Sequence, residues 1–137
     1  CPLEVFVVIG DPGVVNLQAA VYQYDHADHE LERLLTGQYQ ARLRDIAIDQ
    51  EYVETAAIDV VITTIDERTT DRYGTRGARR YVPMEAGHVG ENLYLQAESL
   101  DLATVAIGAF RDEDLRDLLG VSETHRPLYI FPVGKRP

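Results

Sequence analysis

The residues of this chain best suited to chemistry stand in a few short runs. DHADH carries Asp25, His26, Asp28 and His29, and a His-x-x-His spacing can hold a metal ion. Such a site needs three or four ligands, and no further ligand is placed nearby in the sequence. The run also falls where a hairpin turn is expected, which accounts for it without a metal, so no metal site is expected. His88 lies inside EAGHVGENLYLQAESL, close to an apolar stripe. A buried, hydrogen-bonded helix histidine is the favoured reading there, and a catalytic acid or base is the other. Arg76, Arg79 and Arg80 could clasp an anion, but solvated charges beside a helix start are the favoured reading. Cys1 could be a nucleophile only if its thiol and amine sit in a site, and as the single cysteine it permits neither an internal disulfide nor a CxxC motif. No residue is assigned a catalytic role.

Two runs are more specific. In AIGAF, Ala106 to Phe110, a glycine between apolar residues at a strand end lets backbone N–H groups approach a planar ligand, with a strand kink as the alternative. PVGKRP places Lys135 and Arg136 after a tight Pro-x-Gly turn. Paired cations there can hold a phosphate, and a frayed basic tail is the alternative. Gly87 and Gly90 raise a related question, because glycine costs a helix interior about 1 kcal/mol relative to alanine. Something must come close to them: another helix, a second subunit or a flat ligand.

The elements that must position these groups are readable from periodicity. LEVFVVIG is a continuous β-branched and aromatic run closed by GDPG, hence a buried strand. AAVYQYD forms a second strand, and HADHELERLL leads into the return arm of a hairpin. Leu43, Ile46, Ala47 and Gln50 fall at helical spacing and predict a helix over Tyr39 to Thr55. IDVVITTI, Ile58 to Ile65, is a central strand with apolar character on both faces. DERTTDRYGTRGARRY is polar, broken by Gly74 and Gly77, and reads as a connection. Val82, Ala86, Val89, Leu93, Ala97 and Leu100 make an amphipathic stripe with Pro83 in the first turn. TVAIGAF is a strand or strand end, RDEDLRDLLG a short helix stopped by Gly120, and PLYIFPVG a last strand.

The 137 residues fit one domain, and 45% hydrophobic content without a membrane-length apolar run points to a soluble globular chain. PLEVFVVIG is too short to span a membrane and lacks the basic start and cleavage site of a secretory signal, so a reducing, cytoplasmic setting is expected. A formal charge of −10 argues against binding the phosphate backbone of nucleic acid. Lys135 is the only lysine, and a surface rich in Asp and Glu suits a high-salt environment in which screening mutes self-repulsion. The chain enters its first strand directly from Cys1-Pro2, which leads to the expectation that an upstream segment is missing.

Taken together, PLEVFVVIG, VYQYDHADHELERL, ERTTDRYG, the block from RRYVPMEAGH to RDLLG, and PLYIFPVGKRP resemble the nitroreductase family over essentially the whole chain. The similarity is greatest to its SagB-type branch, which includes azoline dehydrogenases of peptide-modifying clusters. The resemblance implies an α+β fold with a central mixed or antiparallel sheet flanked by helices and a dimeric core. It also implies an FMN-dependent oxidoreductase, with NAD(P)H as a possible electron donor and a ping-pong hydride transfer to or from a small or peptide-borne acceptor. In it the long helix lies in the dimer core, where Gly87 and Gly90 admit the partner backbone. Ala106, Ile107, Gly108 and Ala109 would pass beside the flavin ring, and Lys135 and Arg136 would help hold the FMN phosphate. Family members also carry an N-terminal helical segment with a phosphate motif and a Ser/Gly-rich flavin loop before the first strand. Residues 1–137 are therefore expected to be one nitroreductase-like domain, its C-terminal two-thirds, with a separate N-terminal fragment as one candidate partner that would complete it. The competing expectation is a truncated, non-catalytic dimerisation or assembly module of the same fold. A metal hydrolase built on DHADH is a distant third.

Overall fold

The two most strongly β-patterned runs of the sequence lie side by side. In the computed structural model, which describes every residue from Cys1 to Pro137, β1 (Leu3–Ile9) pairs antiparallel with β4 (Ile58–Ile65) along its whole length. On one flank β1 is followed by β2 (Ala20–Asp25) and β3 (Glu30–Thr36). On the other, β4 is followed by β6 (His125–Lys135) and then the short β5 (Leu102–Thr104). The order β3-β2-β1-β4-β6-β5 is antiparallel at every pairing, so the mixed sheet among the expectations is not present.

Side chains alternate between the two faces of such a sheet. Phe6, Val8, Val21, Val61 and Ile130 point to one face. They are sealed there by α1 (Gln40–Ile46), α2 (Glu51–Thr55) and α5 (Asp112–Leu119). Val60, Ile62, Phe131 and Val133 point to the other face, beneath α4 (Val82–Ser99). Gly120 adopts φ 69° and closes α5 in the left-handed conformation that glycine tolerates. No helix is long and apolar enough to cross a membrane.

Three expectations are corrected. The helix predicted over Tyr39 to Thr55 breaks into α1 and α2, with Ile48 and Asp49 in the left-handed region at φ 56° and 58°. A straight helix would carry Val53 about 15 Å beyond Leu43. The corner instead brings both into one core, each fully buried. The expected polar connection is helical: α3 (Glu67–Tyr73) is followed by a π-helical turn, Gly77–Tyr81, that runs directly into α4. Its glycines have separate tasks. Gly74 ends α3 at φ 63°, and Gly77 packs where a Cβ would come within 2.8 Å of Thr69. PVGKRP does not turn. β6 continues through Pro132 and Gly134, with Ala103 opposite Gly134 and Leu102 opposite Lys135.

Candidate functional site

Where β1 ends, β4 begins and β6 finishes, three loops leave a groove of about 680 Å³. That lies within the usual range for a small-molecule or cofactor pocket. Gly13 comes from the β1–β2 loop, Tyr52 from α2, Thr104 and Val105 from the end of β5, and Lys135 from the end of β6. Ala56 and Ala57, between α2 and β4, also line it.

Lys135 forms no ion pair and lines the groove as an available cation. Its neighbour does not join it. The Arg136 guanidinium bonds Glu98 and lies 3.3 Å from Asp101, and the Glu98 bond raises its pKa. Two cations adjacent in sequence are thus parted. A carboxylate pair this exposed costs little to break, so Arg136 is engaged rather than locked.

The AIGAF segment begins where the groove wall at Val105 ends. The Ala106 N–H donates to the Tyr94 hydroxyl at 2.7 Å, and buried Ile107 exchanges both backbone bonds with Ile130 at 2.9 and 3.0 Å. The Ala109 carbonyl accepts from Gln50 at 3.4 Å. The N–H groups of Gly108 and Ala109 have no partner in the chain, and nothing stands within 4 Å of the place a Gly108 Cβ would occupy. Of the four residues expected to meet a planar ligand, Ala106 and Ile107 spend their donors internally, while Gly108 and Ala109 keep theirs.

The other candidates separate from this groove. His88 is exposed and unbonded, which overturns the expected buried histidine. The buried positions of α4 are Val82, Ala86, Gly90 and Ala97, and at 100° per residue His88 falls on the opposite side, with Met84 and Leu95. Gly90 and Gly87, three residues apart on α4, differ in what stands beside them. A Cβ on Gly90 would sit 3.1 Å from the Phe131 ring, whereas one on Gly87 would meet nothing within 4 Å. DHADH forms the β2–β3 turn, where Asp25 accepts the Ala27 N–H at 2.8 Å and His29 meets the Tyr24 hydroxyl at 2.9 Å. No three His, Cys, Asp or Glu side chains converge on a metal position. Arg76, Arg79 and Arg80 are exposed without ion pairs, as solvated charges would be. The exposed Cys1 thiol donates to Glu85 at 3.0 Å, at the opposite end of β1 from the groove.

One buried polar group escaped the sequence reading. Asp59 is fully buried in β4, and Gln40 donates to its Oδ2 at 3.0 Å and to the Ala56 carbonyl at 2.8 Å. Burial pushes the Asp59 carboxyl up to about 8, against the opposing effect of the Gln40 bond. An aspartate inside IDVVITTI was the available signal.

A model described as the nitroreductase family matches residues 2–135. A protein of Methanocaldococcus jannaschii named as a nitroreductase is 42% identical over 135 residues, which cover 98% of this chain and 66% of that protein. A structure from Anabaena variabilis, also described as a nitroreductase, superposes with a TM-score of 0.91 at 29% identity, over 99% of this chain and 27% of that one. The E. coli microcin synthetase McbBCD complex, with truncated pro-MccB17 bound, shares the fold with a TM-score of 0.86 at 24% identity, over 99% of this chain and 52% of that chain. The chain thus spans just under two thirds of the curated relative it matches.

Proposed function

The chain belongs to the nitroreductase family, and from that premise we propose that it forms the flavin-holding core of an FMN-dependent oxidoreductase of the SagB-type branch. The observation that carries the reading is the groove with the available Lys135, together with the open backbone of Gly108 and Ala109, which follow Val105 in the chain but lie outside the groove lining. These residues fit FMN. Lys135 supplies a cation for its phosphate, and Gly108 and Ala109 offer N–H donors beside a space that no side chain fills. The Thr104 hydroxyl in the groove wall is a buried group without a partner. Ala106 and Ile107 would support the loop from behind, and Arg136 would join the phosphate after exchanging Glu98 for it.

FMN would supply acceptance and donation of a hydride, and the chain would supply binding, orientation and electrostatics. A ping-pong order follows if a reduced nicotinamide, or the substrate itself, and then an acceptor use the same open face in turn. The acceptor belongs to the class of small molecules or peptide-borne rings. In this reading residues 1–137 are the C-terminal two-thirds of one nitroreductase-like domain, and an N-terminal segment completes the flavin contacts. A homodimer is part of the proposal, because the outward side of α4 presents Met84 and Leu95 at 53% and 60% exposure around Gly87.

The engagement of Arg136 by Glu98 and Asp101 favours a second reading, a dimerisation or assembly module that holds no cofactor. A visible absorption spectrum with and without added FMN separates the two. The first reading expects a bound flavin signal that NADH bleaches. A colourless protein at saturating FMN, with or without an added N-terminal segment, would sink it.

A further inference from the structure

The floor of the groove is backbone, and the structure shows what holds it. Ala56 and Ala57 are approached from three sides by glycines. The Gly10 N–H donates to the Ala57 carbonyl at 3.2 Å. A Cβ on Gly13 would sit 2.8 Å from that same carbonyl oxygen, and one on Gly134 would sit 3.4 Å from the Ala57 nitrogen. From beneath, one amide group, Gln40 Nε2, bonds both the Ala56 carbonyl and Asp59. The fit is close, since any side chain at Gly10 would collide with the Gln40 amide oxygen. Asp59 in turn stands opposite Val8 in β1 and Pro132 in β6, and Pro132 lines the groove.

We infer that Gln40 and Asp59 form a positioning pair that fixes the Ala56–Ala57 floor of the groove from below. Asp59 Oδ1 is buried without a partner, so the site suits a neutral carboxyl and opposes an anionic one. No charged side chain faces it. β1 offers Val8, β6 offers Pro132, α1 offers Gln40, and α5 fills the same layer with Leu115 and Leu118. When the carboxyl ionises, its uncompensated oxygen draws in water, and the floor opens.

Exchange of the Gly10 amide, corrected for its intrinsic rate, tests this between pH 5 and 9. In an opened floor Asp59 titrates near 4, as an ordinary carboxyl does, whereas the closed floor holds the proton up to about 8. Because the closed-state value is the raised one, protection is greatest at low pH and is lost as pH rises. Opening is expected to become about tenfold easier per pH unit from pH 5 until the closed-state value of about 8 is reached, and to level off above that. Asp59→Asn, which matches the neutral carboxyl in shape and cannot ionise, is expected to give a flat profile. Gln40→Ala is expected to raise exchange at every pH. A flat wild-type profile, or an unchanged slope in Asp59→Asn, would overturn the pairing. The link to cofactor binding rests on the flavin reading, and FMN titration of the same proteins tests it separately. FMN affinity that weakens over this window in the wild type but not in Asp59→Asn supports it. An exchange response with no FMN bound at any pH, with or without an added N-terminal segment, leaves the pair standing and removes the flavin reading.

Discussion

The two faces of the sheet are closed by different means. On one, three helices bring large side chains together, and Phe6, Leu43, Val53, Leu115 and Ile130 are all fully buried. On the other, α4 lies down through small residues. Ala86, Gly90 and Ala97 are buried, while Met84 and Leu95 face outward. The first face is finished within the chain. The second sets a helix close to Phe131 and leaves Met84 and Leu95 exposed on its far side, among His88, Glu91 and Glu98.

Cutting equal volumes from the two faces tests the contrast most severely. Leu115→Ala should cost about 2–5 kcal/mol, the range for a fully buried leucine. Leu93→Ala, at a half-buried position on the inner side of α4, should cost clearly less. Equal shifts of the urea midpoint would remove the distinction. Gly90→Ala is next. The Phe131 ring is fully buried between Tyr94 and Tyr129, so it cannot move aside. An overpacking cost of about 1–3 kcal/mol should outweigh a helix-propensity gain of about 1 kcal/mol. Gly87→Ala meets no neighbour and should stabilise the isolated chain by about 0.5–1 kcal/mol, read as a higher melting temperature. Both glycines moving stability in the same direction would contradict the packing difference between them, Gly90 against Phe131 and Gly87 against open space. Leu95→Glu should have the smallest effect on folding, about 0.5 kcal/mol or less. Under the proposed homodimer, sedimentation should nevertheless show weaker self-association, and an unchanged assembly would mean that the outer face is not the contact.

Much of this division was legible in the sequence. Strand runs such as Leu3–Ile9 and Ile58–Ile65 announce themselves by β-branched composition, and the stripe from Val82 to Ala97 by its period. The corner at Ile48–Asp49 was not, because no glycine or proline marks it. Isoleucine is held left-handed there by the packing of Leu43 and Val53. The helical character of Gly77–Tyr81 was hidden by glycines that usually mark a break, although Gly77 serves close contact with Thr69. For the site, the motifs singled out segments but not how each residue turns, and of the site residues they named only Lys135 lines the groove. Nothing in GKRP says that Arg136 finds Glu98 while Lys135 stays available. Asp59 was overlooked because one acidic residue does not alter the apolar pattern of its strand.

The sheet order also constrains how this chain assembles in time. β2 and β3 are neighbours in sequence and can pair as soon as their turn closes. β4 depends on partners that are remote along the chain, with Thr64 set opposite Leu3 and Ile58 opposite Val133. Non-local pairings of this kind carry a loop-closure cost before any contact rewards it, and they place folding in the slower range for small domains. Pulsed exchange during refolding is expected to protect the β2–β3 amides before those of β4. The innermost strand is then the last to be satisfied, and until both partners arrive it is a sticky apolar ribbon with two open edges, the interval in which this chain is most exposed to aggregation.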